Sequence, residues 1–322
     1  MKRVGLNERA YINLFFKIFC ALVIFFYSVI LGPYVVNGDQ TVYRSIYANI
    51  GDLSFSKAYI YYLEHIDSKE FIHFIVSWFF SYSNINKDIF IAIFNALLAY
   101  MTAVLCLKLK VSKVIAFFII TTCFYYHVLY FPAERLKFGM LFFIMSLIYM
   151  NRKKKFYIYF LLSSMSHVQM LISYISMFFY KIISDIEAAL KRKVLTKSLF
   201  LYFALAFLVA LVMGNHIYSK LLAYMGEIKW FDVSKMIFIL LLSVYYSTNK
   251  RRVIYMFIPL IALVFVVGSD RVFMLGYFLF LYNALQVNRG VNVGVLLSLV
   301  YFGIKSYFFI FNIVEYGTPF PT

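Results

Sequence analysis

The sequence predicts an all-α, polytopic membrane protein, and three observations carry that prediction. Hydrophobic residues make up 64% of the chain and charged residues 14%, against roughly 25% charged in a soluble domain. The mean hydropathy is +0.82. The apolar runs are long and continuous rather than alternating, which excludes an outer-membrane β-barrel. The longest polar stretches, 37–69, 181–197 and 215–235, are too short for a soluble domain, so a single transmembrane domain over 1–322 is expected.

A span needs about 20 apolar residues, with about 17 as a lower limit. The basic start, with Lys2, Arg3 and Arg9, leads into a first span at 10–33. That apolar run exceeds a signal-peptide core of about 7–15 residues and has no small-residue cleavage site, so it is expected to stay in the membrane. Further spans are expected at 88–107, 114–131, 133–150, 198–214, 234–248, 253–268, 272–287 and 293–313. The shorter ones need tilt or local bilayer thinning. Two segments are ambiguous. Residues 70–83 are too short for an easy crossing, and 156–180 are interrupted by Ser163-Ser-Met-Ser-His167.

The basic residues arbitrate through the positive-inside rule. If both ambiguous segments enter and leave on one side, the N-terminus, the turns 108–113, 152–155 and 250–252, the 181–197 cluster and Arg289 all fall inside. Of the acids, only Glu8, Asp185 and Glu187 join them. If 156–180 alone crossed, Asn249-Lys-Arg-Arg252 would face outside; if 70–83 alone crossed, Asn151-Arg-Lys-Lys-Lys155 would. The expectation is about nine full spans plus two re-entrant or interfacial segments, the N-terminus inside and the C-terminus outside. Segment 37–87 and loop 215–233 lie outside. The net charge of +17 is then an orientation signal with lipid head groups as partners, and no nucleic-acid partner is expected.

Charge in or beside a membrane is costly, so it marks candidate functional sites. The stretch Pro132-Ala-Glu-Arg-Leu-Lys137 sits between two apolar runs. Arg135 and Lys137 suit a phosphate clamp, Arg as a bidentate fork and Lys as a point charge; a salt-bridged interfacial anchor is the plainer reading. Ser269-Asp-Arg271 has the same design, and a tight helix–helix turn is its alternative. Asp39, Tyr43 and Tyr47 recur at a spacing of four, offering a carboxylate and sugar-stacking rings, or an interfacial aromatic belt. Arg44 lies in the same stretch. Glu70 heads the next apolar run. A carboxylate in apolar surroundings has a raised pKa, which suits general-base work. His167, beside Gln169 and three serines, suits a proton shuttle or a hydrogen-bond donor to a sugar or phosphate, or simple packing. Cys20, Cys106 and Cys123 lie in apolar segments without ligand spacing, so neither a disulfide, a metal site nor a cofactor is expected.

Together these residues resemble a family. The order is Asp39, Tyr43 and Tyr47 after the first span; Glu70 in Glu-Phe-Ile-His-Phe-Ile; Arg135 in Ala-Glu-Arg-Leu-Lys-Phe-Gly; a Lys-rich inner turn; His167 in Ser-Met-Ser-His-Val-Gln; and Arg271 followed by Tyr277-Phe278. This is similar to the EpsG-type branch of bacterial polysaccharide polymerases, the Wzy-like enzymes of O-antigen, capsule and exopolysaccharide assembly. The family often has Gln after the Arg, where this chain has Leu136.

The resemblance implies a GT-C-like helical bundle in the bacterial inner membrane with its active site facing the periplasm. It implies a metal-independent glycosyltransferase that joins oligosaccharide repeats carried on undecaprenyl diphosphate, with a chain-length regulator as a further partner. Arg135, Lys137, Arg271 and Arg44 would offset charge on the leaving diphosphate. Asp39 and Glu70, with Glu134 and His167 in reserve, would serve the acceptor hydroxyl. Tyr43, Tyr47 and Gln169 would contact substrate. A flippase of lipid-linked sugars would use the same basic cavity, but no internal repeat of the kind common in transporters is visible. A membrane acyltransferase would want an Asp or Asn paired with His167, and none lies nearby in sequence.

Overall fold

The long apolar runs, which lack strand-like alternation, fold as helices among the described residues despite their many aromatic and β-branched side chains. The computed structural model of the chain describes residues 2–66, 70–192, 199, 200, 204, 207, 214, 218, 230–267 and 270–320. Among them no strand occurs. The chain divides into two compact units, one joining Met1–Met170 to Asn288–Thr322 and the other comprising Leu171–Val287.

In the first unit, α1 (Lys2–Leu31) packs along α5 (Lys87–Lys108). Between α1 and α5 in the chain come three short helices, α2 (Asp39–Ile50), α3 (Phe55–Ile66) and α4 (Phe71–Tyr82). Then follow α6 (Lys113–Thr122), α7 (Phe124–Tyr130), α8 (Glu134–Ile148) and α9 (Lys153–Ser166), with α14 (Val293–Tyr316) closing the unit. Helix α5 packs on α8, α8 on α9, and α14 on α6 and α7. Helix α10 (Gln169–Arg192) begins at the end of this unit and continues into the second, which also holds α11 (Trp230–Tyr245), α12 (Lys250–Val267) and α13 (Asp270–Ala284).

Among the described residues, three helical stretches are long and apolar enough to cross a membrane: Glu8–Tyr34, Lys87–Lys108 and Val287–Tyr316. Helix α1 turns Tyr11, Phe15, Leu22, Phe26 and Ile30 outward as one exposed stripe. An apolar stripe of that extent is suited to lipid rather than water.

The span expected at 114–131 is not one straight helix. Helices α6 and α7 meet at 55°, and Cys123 between them is extended (φ −73°, ψ 122°). The Thr122 carbonyl freed by the bend accepts from Ser306 Oγ of α14 at 2.8 Å. Counted as one crossing, this pair makes a fourth candidate. Helix α8, expected at 133–150, has 15 residues, about 22 Å at 1.5 Å per residue. The polar stretch at 181–197 is helical as far as Arg192, where Glu187 pairs with Arg251 of α12 at 3.0 Å. Most of the span expected at 198–214 and most of the loop at 215–233 lie outside the described residues, and 230–233 already belong to α11.

Two ends of the first unit differ in chemistry. At one end lie the basic turns: Lys108 Nζ donates to the Leu147 carbonyl at 3.2 Å and to that of Ile148, the last carbonyls of α8. Beside them, Ser112 N–H donates to the Arg289 carbonyl. At the other end, the Val36 and Asn37 N–H groups donate to the Gly317 carbonyl at 3.1 and 3.0 Å. Gly317 ends α14 in the left-handed region (φ 69°), which glycine adopts without steric cost. The starts of α2, α5 and α8 lie at this second end, where Arg44 of α2 pairs with Asp88 of α5 and Gln40 of α2 reaches Glu134 of α8.

Candidate functional site

The end remote from the basic turns holds a continuous polar network inside an apolar bundle. Its first part centres on Glu134. Oε1 of Glu134 meets His73 Nε2 at 3.1 Å. Oε2 meets Lys87 Nζ at 3.3 Å and Gln40 Nε2 at 3.2 Å. Lys87 also donates to Gln40 Oε1, and Tyr62 O–H contacts His73 Nδ1 at 2.8 Å. All five are buried. Side chains from α2, α3, α4, α5 and α8 thus meet in one buried cluster, and a buried charge needs such partners.

The second part is open. Glu70, the residue before α4, receives a very short contact from His167 Nδ1 to Oε1. Arg135 Nη1 stands 2.9 Å from its Oε2. That contact is an ion pair by proximity, since Oε2 accepts no aligned hydrogen bond. Arg135 Nε donates to Tyr43 O–H at 2.8 Å. The exposures are graded: 5% for the Glu70 side chain, 16% for His167 and 24% for Arg135. A ligand approaching from outside would meet Arg135 and His167, with Glu70 behind them. His167 Nε2 and Arg135 Nη2 face no protein partner among the described residues.

Local sequence explains this convergence. Helix α9 ends at Ser166, His167 is extended (φ −160°, ψ 124°), and α10 restarts at Gln169. The Ser163-Ser-Met-Ser-His break therefore becomes a kink that swings the imidazole inward. Ser163 Oγ donates to the Gly139 carbonyl at 2.8 Å, tying the kink to α8. Gly139 lies four residues after Arg135, on the same helical face. A Cβ there would lie 2.7 Å from Met170 Cγ and 3.2 Å from His167 Cβ. The glycine lets the kink seat against α8, which brings His167 to Glu70 and Arg135.

Glu70 lies outside the stretches long enough to span a membrane. Burial alone would raise its carboxyl, but His167 and then Arg135 outweigh that, and the pKa falls to about 2. The raised carboxylate pKa expected from an apolar setting is therefore reversed. Glu70 is thereby favoured as the anion beside His167 and Arg135, which suits it to orient the imidazole through Nδ1. Burial raises the Tyr43 phenol well above its ordinary value despite the opposing Arg135, so Tyr43 stays protonated.

Several sequence expectations change. Asp39 is exposed at the first position of α2, and Gln40 beside it enters the network instead. Glu134 is enclosed by His73, Lys87 and Gln40, away from the open edge. Lys137 is 0% exposed and donates to the Tyr130 carbonyl at 3.0 Å. It serves a helix-end carbonyl freed between α7 and α8, which Asn95 also satisfies at 2.9 Å, and is not at the open edge. Arg44 is taken up by Asp88 at 2.6 Å and by the Gly32 and Val35 carbonyls. Tyr43 and Tyr47 are both buried. Tyr47 O–H donates to the Ile85 carbonyl at 2.7 Å and its ring stacks on Phe90, so it is a packing residue and not an open platform. Gln169 is buried beside the kink. Arg271 follows Asp270 at the start of α13, and its side chain lies outside the described residues, as does Ser269.

Sequence reasoning missed His73, Lys87, Gln40 and Tyr62. Only His73 had an available signal, its place three residues after Glu70 in Glu-Phe-Ile-His. Among the described residues no three His, Cys, Asp or Glu side chains converge as a metal-ligand set. The chain matches no family model, no curated protein and no solved structure.

Proposed function

We propose that this chain is a membrane glycosyltransferase that polymerises oligosaccharide repeats carried on a polyprenyl diphosphate such as undecaprenyl diphosphate. In this reading it crosses a bacterial inner membrane about nine times and works at the periplasmic face. The observation that carries the reading is the open Arg135–Glu70–His167 group, a fixed cation beside a carboxylate-oriented imidazole. It lies at the bundle end opposite the basic turns that the positive-inside rule assigns to the cytoplasm.

The chemistry follows from that group. Glu70 takes the Nδ1 side of His167, so Nε2 is left to accept the proton of an acceptor sugar hydroxyl. The oxygen forms a bond to the anomeric carbon of the donor chain. The bond from that carbon to the diphosphate oxygen breaks, and its electron pair leaves with the lipid diphosphate. Arg135 offsets the charge gathering there. The proton on Nε2 passes to solvent or to the departing diphosphate. The test is reconstitution of the purified chain with defined polyprenyl-diphosphate-linked repeat units. A ladder of longer products from the wild type, absent from His167→Ala, supports the reading. An unchanged ladder from His167→Ala and Arg135→Ala would overturn it.

One observation favours a second reading. The carboxylate partner that an acyl-transfer histidine needs is present in Glu70. A membrane acyltransferase would consume the same lipid-linked acceptor only when an acyl donor is supplied, and its product would gain an acyl group without lengthening.

A further inference from the structure

Helices α2 and α4 run side by side away from the Glu70 site. At their near ends Tyr43 and His73 rings lie 5.7 Å apart. At their far ends Gly51 lies so close to α4 that a Cβ would come within 2.8 Å of the Ser81 carbonyl oxygen. Around that far end lies a wide, solvent-open cavity of about 670 Å³, a surface groove rather than an enclosed chamber, lined by Gly51, Asp52, Leu53, Ser54, Trp78, Tyr82 and Asn84. Such a volume suits a small-molecule ligand.

The lining has a specific chemistry. The Trp78 and Tyr82 rings are nearly parallel, 5.5 Å apart at 26°. The indole is locked, because Nε1 donates to the Leu53 carbonyl at 3.2 Å. Phe55 braces it edge-on at 5.2 Å. Tyr82 is 63% exposed. Asp52, Ser54 and Asn84 are exposed at the rim and carry no lysine or arginine among them. Apolar ring faces beside a carboxylate, a hydroxyl and an amide fit a neutral polyhydroxylated ring. The apolar C–H face of a sugar lies on the aromatics, and its hydroxyls find donors and acceptors at the rim. A phosphate or an anionic lipid head group would instead meet a carboxylate and no cation.

We infer that this cavity is a saccharide subsite, separate from the Glu70–His167–Arg135 group, that holds a distal sugar of a glycan engaged there. The inference rests on the glycosyl-transfer reading above and deepens it. Helix α4 has 12 residues, which at 1.5 Å each separates the cavity from Glu70 by about 18 Å. That is a reach of several sugars, so the ligand class is an oligosaccharide rather than a monosaccharide.

The test is binding of the full chain in nanodiscs to a printed array of bacterial oligosaccharides, with wild type, Ile60→Ala (an exposed residue of α3 outside both sites), Tyr82→Ala and Trp78→Phe compared. Wild type and Ile60→Ala are expected to bind at least one saccharide alike, and Tyr82→Ala and Trp78→Phe to lose tenfold or more in apparent affinity. No binding by wild type, or binding unchanged in Tyr82→Ala, overturns the proposal. Phospholipid that co-purifies with wild type and is lost from Tyr82→Ala, without saccharide binding, also overturns it and assigns the cavity to a lipid head group. Failure of the transferase reading is distinct: wild type would make no polymer while array binding and its dependence on Tyr82 persisted.

Discussion

His167 Nδ1 and Glu70 Oε1 are in direct contact although the two residues lie 97 positions apart in the chain. The contact fixes which imidazole nitrogen faces the protein and which faces the open edge. It predicts an ordered pair of losses. His167→Ala removes the proposed proton acceptor and should lower turnover of lipid-linked units by about 100-fold or more. Glu70→Gln should cost less, because the histidine remains but is misoriented. The double variant should be no worse than His167→Ala alone, measured by initial rates on one defined substrate. Additive losses would mean the two residues do not act as a unit.

Arg135 supports the anion behind it as well as any ligand in front. Arg135→Gln should abolish chain lengthening and also leave Glu70 without its cationic neighbour, at a cost of about 1–3 kcal/mol in this partly open setting. The combined Glu70→Gln/Arg135→Gln variant should regain most of that stability and none of the activity. Thermal unfolding in detergent, run beside the activity assay, separates the two effects.

Gly139 should tolerate no side chain. Gly139→Ala forces Met170 and His167 away from α8 and should lower activity at least tenfold, with an overpacking cost of about 1–3 kcal/mol. Met170→Ala on that background removes the nearer clash and should restore part of the activity. Rescue would tie the loss to the seating of the kink.

Glu134 should behave as a structural residue. Glu134→Ala leaves Lys87 buried without its carboxylate, and breaking a buried pair costs about 3–5 kcal/mol. The expected result is reduced folded protein in membranes, with any folded fraction keeping near-normal turnover. Normal protein levels with lost turnover would move Glu134 into the catalytic group.

The depressed Glu70 carboxyl gives a pH signature. Its folded pKa of about 2 lies below the ordinary 4.5, so its contribution to stability is fully present above about 4.5 and is lost as the pH falls toward 2. Wild-type melting temperature should therefore decline across that window more steeply than that of Glu70→Gln.

The sequence carried the membrane class, the break before His167, the helix bearing Tyr43 and Tyr47, and the position of Glu70 at the head of an apolar helix. Each of these is a local property, set by composition, polarity or spacing within a few residues. What was illegible depends on distant partners. Arg44 and Lys137 looked like spare cations because Asp88 is 44 positions from the first, and because the Tyr130 carbonyl is freed only by the ending of α7. The bend at Cys123 has no Pro or Gly to announce it, and its freed carbonyl is met by Ser306, 184 positions away. Asp39 read as a site residue through its spacing from Tyr43, yet at the first position of α2 it lies at the exposed end of that face.

The clasp of Val36 and Asn37 onto Gly317 bears on biogenesis. The unit that holds Glu70, Arg135 and His167 takes its closing helix from sequence made after the whole of Leu171–Val287. During synthesis the α6–α7 bend must wait with its Thr122 carbonyl unmet until Ser306 emerges from the ribosome. Closure of the bundle by α14 on α6 and α7 is therefore a late step of assembly, and a nascent chain stalled before α14 would lack the helix that caps that bend.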